Sequence, residues 1–272
     1  LSRAAAFLLL PTLVLSQATP GEWPMFNRDL AATRYSPLTQ INTSNVSRLK
    51  KVWSIKLGKD RGAGGITGGS EFTPIMVKGV LYAATSQEVV ALEPDTGREL
   101  WRYKPSTNPS RRGVAFWPGD KNNPARIVFT AGPKMIGLNA ATGKLDPGFG
   151  KEGEVDLVVP YDSAPVVWKN FLFIGANTGE APRTGQPGNT RAFDARTGKP
   201  VWEFHSVPQP GEIGHETWEG DTWKDRSGVN NWGFSMALDA DRAVDRDPGR
   251  QGGAGQSFAG PARSGQSTPE SL

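Results

Sequence analysis

The chain has 272 residues, with 33 glycines, 22 prolines, nine tryptophans and no cysteine. The lack of cysteine excludes disulfides, thiol catalysis and cysteine-ligated metals, while the abundance of glycine and proline favours a turn-rich, all-β class. The net charge of +4 comes from 31 basic and 27 acidic residues without a long basic run, so a nucleic-acid partner is not expected.

The first predicted element is an export signal at residues 1–18. Arg3 supplies the initial charge, Ala4–Leu15 is an apolar run, and Ser16-Gln17-Ala18 offers small residues for cleavage. The apolar run is short for a helix that spans a bilayer, and a short membrane anchor is the alternative interpretation. The pattern predicts cleavage after Ala18 and a periplasmic protein.

A sequence motif that contains a Thr-Gly turn recurs through the middle of the chain. Ala91–Trp101 and Ala192–Trp202 each run from an apolar strand through Thr-Gly to a strand that ends in tryptophan, and Gly137–Leu145 keeps the turn but loses the tryptophan. The Thr-Gly pairs begin at positions 96, 142 and 197, which are 46 and 55 residues apart, so the sequence is a repeat. Glycine supplies the positive φ of a tight turn, and the indole is large enough to fill the space between two sheets.

Apolar runs upstream of these turns complete the repeat. Pro74–Thr85 and Ala164–Gly175 are split by Lys-Gly and Lys-Asn, which predicts hairpins, and Ala125–Ala131 takes the same place in the middle copy. Two hairpins give four strands, the size of one β-propeller blade. A β-sandwich with unrelated Thr-Gly turns is the alternative, but the recurrence of the whole phrase favours the propeller. Trp53 is predicted to end the outer strand of a preceding blade.

Two glycine-rich segments require a different interpretation. Gly62–Gly69 resembles a phosphate loop only superficially, because neither Gly-Lys-Ser/Thr nor a helix pattern follows it, so nucleotide binding is not expected. Residues 243–272 lack the apolar side chains of a core, which predicts disorder. This tail is either natural or an out-of-frame sequence, and the break in the strand pattern favours the second. The expected domains are therefore residues 1–18, 19–242 and 243–272.

Longer motifs resemble the pyrroloquinoline quinone (PQQ)-dependent alcohol and glucose dehydrogenases, the quinoproteins. The resemblance runs from about residue 21 to 242. It rests on Arg28–Asn42 (Arg-Asp-Leu … Thr-Arg-Tyr-Ser-Pro-Leu … Gln-Ile-Asn), Arg112–Asp120 (Arg-Gly-Val-Ala-Phe-Trp-Pro-Gly-Asp), Thr217–Lys224 (Thr-Trp-Glu-Gly-Asp-Thr-Trp-Lys) and Asn231–Gly233 (Asn-Trp-Gly). It implies an eight-bladed propeller with PQQ on its axis, of which this chain holds about the first three blades and part of a fourth.

The resemblance also implies a site for PQQ, a flat quinone with three carboxylates. Trp232 matches the family's stacking tryptophan, with a blade-filling tryptophan as the alternative. Arg112 would lie beside the quinone oxygens, where a fixed cation stabilises the charge gained on reduction. The other implied cofactor contacts are Glu71, Asn177 and either Asp162 or Ser163, and the sequence does not decide between the last two.

A calcium site is implied in the same way. Glu180 follows a glycine-rich strand end and aligns with a calcium-ligating carboxylate of the family, and calcium prefers oxygen ligands. A solvated loop glutamate is the alternative. His205 and His215 have no second ligand at metal-binding spacing and are predicted to be structural. The family's catalytic aspartate and asparagine calcium ligand lie downstream of Asp239 and are not in this chain, and its adjacent cysteines before Arg112 are absent.

The main functional hypothesis is an exported PQQ- and calcium-dependent oxidoreductase. It would oxidise a glucose-type sugar or an alcohol and pass electrons to a quinone or cytochrome, with peripheral membrane association compatible with that role. Calcium would polarise the quinone carbonyl while a carboxylate base takes the hydroxyl proton. A non-catalytic propeller, such as an outer-membrane assembly scaffold, is the alternative, and Arg112, Glu180 and Trp232 argue against it. A truncated, inactive member of the family is a third hypothesis.

Overall fold

The computed structural model describes residues 21–56, 72–110, 112–178, 184–228 and 236–240. Within these ranges twelve strands form three four-stranded antiparallel sheets. Blade 1 consists of β1 (Ile75–Val77), β2 (Val80–Ala84), β3 (Val89–Leu92) and β4 (Glu99–Tyr103). Blade 2 consists of β5 (Ala115–Trp117), β6 (Arg126–Ala131), β7 (Lys134–Asn139) and β8 (Glu154–Asp156). Blade 3 consists of β9 (Val166–Trp168), β10 (Phe171–Ile174), β11 (Thr190–Asp194) and β12 (Pro200–Phe204).

The prediction of a propeller built from four-stranded blades is confirmed. Each sheet runs in chain order from its first strand to its fourth, which is the meander of a propeller blade. Blades 1 and 3 even share a register shift at the same place, opposite Trp101 and Trp202. A β-sandwich would instead place these strands in two facing sheets.

The core lies between the blades. On β6, Ile127 and Phe129 pack in a cluster with blade 1, whereas Val128 packs in a cluster with blade 3, as the alternation of side chains along a strand requires. All six residues of β6 are therefore buried. Blade 2 is covered on both faces, and its position fixes the positions of its two neighbours.

The three Thr-Gly turns share one backbone geometry. Gly97, Gly143 and Gly198 have φ values of +72°, +68° and +72°. Each glycine N–H donates to the carbonyl four residues earlier, at 2.8, 2.9 and 2.7 Å respectively. This left-handed conformation carries no steric penalty for glycine, so the recurring dipeptide has the physical cause that the sequence indicates.

An indole covers two of these glycines. Trp53 lies on Gly97 and Trp101 lies on Gly143, so closely that an added Cβ would meet each ring at 2.5 Å. Each indole Nε1 also donates to the carbonyl three residues before the glycine, at 2.8 and 2.9 Å. Trp53 therefore makes the same contact as the outer-strand Trp101, but the predicted outer strand that it would end is not formed, because no strand is assigned over residues 51–56. We call such a contact between neighbouring units a seam.

The seam between blades 2 and 3 has the same plan without a tryptophan. Val155 on β8 and Phe149 cover Gly198, at 2.5 and 3.3 Å from an added Cβ. The Arg126 Nη1 donates to the carbonyl of Ala195, again three residues before the glycine. The Arg126 guanidinium thus replaces the indole N–H as hydrogen-bond donor, and the side chains of Val155 and Phe149 replace the indole ring as the cover over the glycine.

Arg126 is held in this seam by a buried ion pair. Its Nε and Nη2 donate to Asp146 Oδ2 at 2.9 and 2.6 Å, and its side chain is 0% exposed. The guanidinium also lies 5.1 Å from the ring centroids of both Trp117 and Phe149. Pairing and hydrogen bonding together satisfy a charge that would otherwise be costly to bury.

The middle copy of the repeat departs from the predicted pattern after its turn. A second strand was expected directly after Gly143, but only a single bridge, Leu138 to Leu145, forms there. The outer strand β8 begins at Glu154. The segment between Leu145 and β8 contributes Asp146, which pairs with Arg126, and Phe149, which covers Gly198. This segment therefore supplies side chains that replace the missing tryptophan.

The helical content of the described ranges is limited to two 3-10 turns, Val46–Arg48 and His215–Thr217. In these parts of the chain no helix combines the length and hydropathy needed to cross a membrane. The predicted export signal, the segment 62–69 and the tail 243–272 lie outside the described residues.

Gly143→Ala is expected to destabilise the protein more than Gly79→Ala. Both glycines have positive φ, +68° and +76°, so alanine loses about 1–2 kcal/mol at either position. Only Gly143 faces an indole, whereas nothing lies within 4 Å of an added Cβ at Gly79. Overpacking at Gly143 should therefore add about 1–3 kcal/mol. Denaturant titration measures both variants, and equal losses would contradict the seam.

Arg126→Met should lower the free energy of unfolding by about 3–5 kcal/mol, because Asp146 is left buried without its cation. Arg98→Met is the matched control. It removes an ion pair with Glu93 in which both side chains are exposed, 62% and 37%, and should change stability by only about 0–1 kcal/mol. Similar values for the two variants in the same titration would show that the buried pair does not stabilise the fold.

Candidate functional site

The candidate site lies where the inner strands of blades 2 and 3 begin. Arg112 precedes β5, and Asp162 and Ser163 precede β9. Because β10 runs antiparallel to β9, the end of β10 returns to the same edge and places Asn177 there. The structure thus brings together four of the residues that the sequence predicts to bind a cofactor.

Arg112 reaches from blade 2 to blade 3. Its Nη1 donates to the backbone carbonyl of Asp162 at 2.9 Å and to Asp162 Oδ2 at 3.3 Å. The Arg112 side chain is 10% exposed, whereas the Asp162 side chain is 48% exposed. The site therefore contains a nearly buried cation whose counter-ion is largely open to solvent.

Asn177 binds the same segment from the other side. The backbone N–H of Asp162 donates to Asn177 Oδ1 at 3.0 Å, and the N–H of Asn177 donates to the Pro160 carbonyl at 2.8 Å. Two bonds thus hold the segment before β9 against the end of β10. Since the amide oxygen bonds the backbone, a cofactor contact of Asn177 would use its Nδ2 donors.

Ser163 lies deeper than Asp162. Its backbone carbonyl accepts a bond from Thr130 Oγ1 at 3.0 Å, and both residues are 0% exposed. Its side chain bonds the hydroxyl of Tyr161, which also accepts from the backbone of Gly175. Of the two alternatives that the sequence left open, Asp162 is the more exposed.

Tyr161 is the main site residue that the sequence did not indicate. It is 1% exposed, and burial raises the pKa of its hydroxyl to about 12, against the opposing effects of the Ser163 and Gly175 hydrogen bonds and the nearby Arg112 charge. The phenol is neutral at physiological pH and acts as a fixed hydrogen-bonding group. No local pattern marks Tyr161 or Thr130, because both join the site through contacts between strands.

Blades 1 and 2 also approach each other closely at this edge. Gly113 has a φ of +105°, and a Cβ there would lie 2.8 Å from the carbonyl oxygen of Thr73. Glycine therefore has a steric reason to follow Arg112 in the Arg-Gly-Val motif. The close approach fixes the chain next to Arg112 against blade 1.

The remaining predicted site residues, Glu71, Glu180 and Trp232, lie outside the described residues, so their roles stay predictions. In the part of the chain that the structure describes, no cluster of three histidine or acidic residues could hold a metal. His205 and His215 make local bonds, from Nδ1 to Glu212 Oε1 at 2.7 Å and to the Pro208 carbonyl at 3.0 Å.

The raised pKa of Tyr161 predicts a loss of stability at alkaline pH. The ordinary tyrosine pKa of 10 applies to the unfolded chain and the value of about 12 to the folded one. Stability is therefore complete below pH 10 and falls between about pH 10 and 12, by up to roughly 2–3 kcal/mol. Tyr161→Phe lacks this group and should lose less stability over the same range in denaturant titrations. Identical pH profiles for the two proteins would contradict the burial of a neutral phenol.

Comparison with known proteins places this architecture in a family. Residues 23–244 match the family model described as PQQ: Glucose/ethanol/alcohol dehydrogenase, beta-propeller domain. The dehydrogenase subunit of the quinone-dependent alcohol dehydrogenase of Gluconobacter oxydans is 36% identical over 208 residues, which cover 70% of this chain and 25% of the relative. Subunit 1 of the cytochrome c-linked methanol dehydrogenase of Methylobacterium organophilum is 31% identical over 258 residues, 82% of this chain and 39% of the relative.

A solved structure agrees with the sequence comparisons. The quinohemoprotein alcohol dehydrogenase ADHIIG of Pseudomonas putida HK5 superposes with a TM-score of 0.64 at 31% identity, over 82% of this chain and 33% of that one. The chain thus spans between a quarter and two fifths of the length of these relatives. Their names are those of oxidoreductases that act on CH–OH groups. Together with the three blades, the family match over residues 23–244 confirms the resemblance, and the chain belongs to the PQQ-dependent alcohol dehydrogenase family of β-propeller proteins.

Proposed function

We propose that this chain forms one side of a PQQ site in an oxidoreductase that acts on an alcohol or a glucose-type sugar. The observation that carries the proposal is the Arg112 guanidinium, which is nearly buried at the edge where the inner strands of two blades begin. The names of the relatives support an alcohol as the substrate, and the name of the family model also includes glucose.

The described residues fit an anionic, planar cofactor. A guanidinium binds carboxylate and quinone oxygens through a planar fork of donors, and Arg112 is held in place by the Asp162 carbonyl rather than by flexible side chains alone. Asn177 would add amide donors from blade 3. When bound, PQQ supplies a quinone that accepts two electrons from the CH–OH carbon. Arg112 would orient that quinone and stabilise the negative charge it gains.

The metal, the electron acceptor and the location are parts of the same proposal. Calcium, with Glu180 as one carboxylate ligand, is supported by the resemblance in that segment and by the preference of calcium for oxygen ligands. A quinone or a cytochrome as acceptor is supported by the names of relatives that use each of them. Export to the periplasm, with cleavage after Ala18, is supported by the pattern of residues 1–18.

A non-catalytic scaffold is not favoured. The relatives described above are dehydrogenases, and a scaffold provides no reason to enclose a guanidinium at the inner edge of the blades. Burying a cation costs several kcal/mol unless it is well paired. The carboxylate that pairs with the structural Arg126 is only 8% exposed, whereas the carboxylate that pairs with Arg112 is 48% exposed. The enclosed Arg112 therefore favours a ligand site.

The test compares PQQ binding and turnover in a full-length form of the protein with residues 1–272 alone. The full-length form should bind PQQ and oxidise short alcohols or glucose with calcium and an artificial electron acceptor. Arg112→Met should weaken PQQ binding by about 10- to 100-fold, because charge-assisted hydrogen bonds contribute about 1.5–3 kcal/mol. Residues 1–272 alone should show no turnover, since the three blades seen in the described ranges supply only one side of the proposed site.

The control for that comparison is Glu99→Gln, which alters an arginine–carboxylate pair on the outer strand β4, far from the inner edge. It should leave PQQ affinity unchanged. A full-length form that binds no PQQ, or an Arg112→Met variant with unaltered affinity, would refute the proposed function. Turnover by residues 1–272 alone, above a protein-free control, would show that the site is complete without further blades.

A further inference from the structure

We propose that Asp162 is a positioning residue, which aligns Arg112 of blade 2 with Asn177 of blade 3 and serves as the counter-ion that an anionic ligand displaces from Arg112. The identity of that ligand as PQQ rests on the proposed function. The alignment rests only on contacts among the described residues.

Three hydrogen bonds meet on Asp162. Its carbonyl oxygen and its Oδ2 accept from Arg112 Nη1 at 2.9 and 3.3 Å, and its N–H donates to Asn177 Oδ1 at 3.0 Å. Arg112 and Asn177 come from different blades, and both of them bond to Asp162. Asp162 is therefore the residue through which their relative position is set.

The residues on either side of Asp162 are immobilised. Tyr161 is 1% exposed and Ser163 is 0% exposed, and the Ser163 carbonyl is bonded to Thr130 on β6. The backbone of Asp162 thus lies between two buried anchors. Its carbonyl and N–H can hold Arg112 and Asn177 regardless of where its side chain points.

The carboxylate is the movable part of this arrangement. It is 48% exposed and 3.3 Å from Arg112, whereas the backbone carbonyl is closer and the guanidinium is only 10% exposed. An anion that approaches Arg112 can displace the carboxylate into solvent while the carbonyl keeps the guanidinium in place. Without a ligand, the carboxylate contributes to balancing the enclosed positive charge of Arg112.

Charge argues against direct binding of a PQQ carboxylate by Asp162. Two carboxylates at contact distance repel each other, and one of them must then take up a proton. A carboxylate beside Arg112 instead competes with the ligand for the same cation. Asp162 would act on the ligand through Arg112, and its removal should favour binding.

The first test is a PQQ titration of the full-length form with Asp162→Asn, which keeps the shape and the backbone contacts but removes the charge. We expect affinity to rise by about 3- to 10-fold at low salt, as for one partly screened charge, and the gain to shrink in about 1 M salt. Glu99→Gln, the same type of change on β4, should have no effect. A weaker affinity in Asp162→Asn would overturn the proposal, because it would show that the carboxylate itself holds the ligand.

The second test uses residues 1–272 without any cofactor. Asn177→Ala removes the acceptor of the Asp162 N–H, so hydrogen exchange over residues 160–163 should become at least about tenfold faster, the ratio that corresponds to the loss of one hydrogen bond of about 1.4 kcal/mol. Asp162→Asn should leave this exchange unchanged, because both of its backbone bonds persist. Unaltered exchange in Asn177→Ala would refute the alignment. If the full-length form bound no PQQ, the proposed function would fail, and the exchange result would still decide the alignment.

Discussion

The architecture depends on one contact that recurs at each seam, in which a side chain covers a Thr-Gly glycine and donates to the carbonyl three residues before it. Trp53 and Trp101 make both parts of the contact with a single indole. Between blades 2 and 3 the contact is divided, with Val155 and Phe149 covering Gly198 and Arg126 acting as donor. The glycine and the carbonyl three residues before it recur at every seam described here. The side chains that contact them differ from seam to seam.

The seams matter to the candidate site because they set how the inner edges of the blades approach one another. The outer strands are joined at the seams, and the apolar clusters between neighbouring sheets fill the space inward from them. At the inner edge this spacing leaves Gly113 against the Thr73 carbonyl and brings Arg112 within hydrogen-bonding distance of Asp162. A guanidinium that crosses from one blade to the next tolerates little change in their separation. The geometry of the site is therefore a consequence of packing at the opposite edge of the sheets.

The sequence predicts features that depend only on the local backbone conformation or on a short sequence motif. The Thr-Gly turns and the hairpins follow from positive φ, from alternation and from recurrence, and the structure confirms them. Trp53 makes the contact of an outer-strand tryptophan, but without the predicted strand. The partners of Arg126 and Arg112 could not be predicted in this way, because Asp146 and Asp162 lie 20 and 50 residues further along the chain and no local pattern indicates which distant residues the fold brings together. The cofactor residues were found by resemblance to a family, not by periodicity, and those of them that lie in the described ranges do converge on one edge.

The uniformity of the turns has a consequence for folding. Because each turn offers the same glycine and the same carbonyl, an indole gains nearly the same contact from any of them, so Trp53 or Trp101 meets several equivalent partners while the chain collapses. The seam between blades 2 and 3 is the exception, because its contact is not made by an indole that another seam could exchange. Arg126 brings its own counter-ion, Asp146, from blade 2 and donates to the carbonyls of Ala195 and Arg196 in blade 3. The seam that lost its tryptophan thus has a chemistry of its own, which reduces the number of interchangeable contacts among near-identical repeats during assembly.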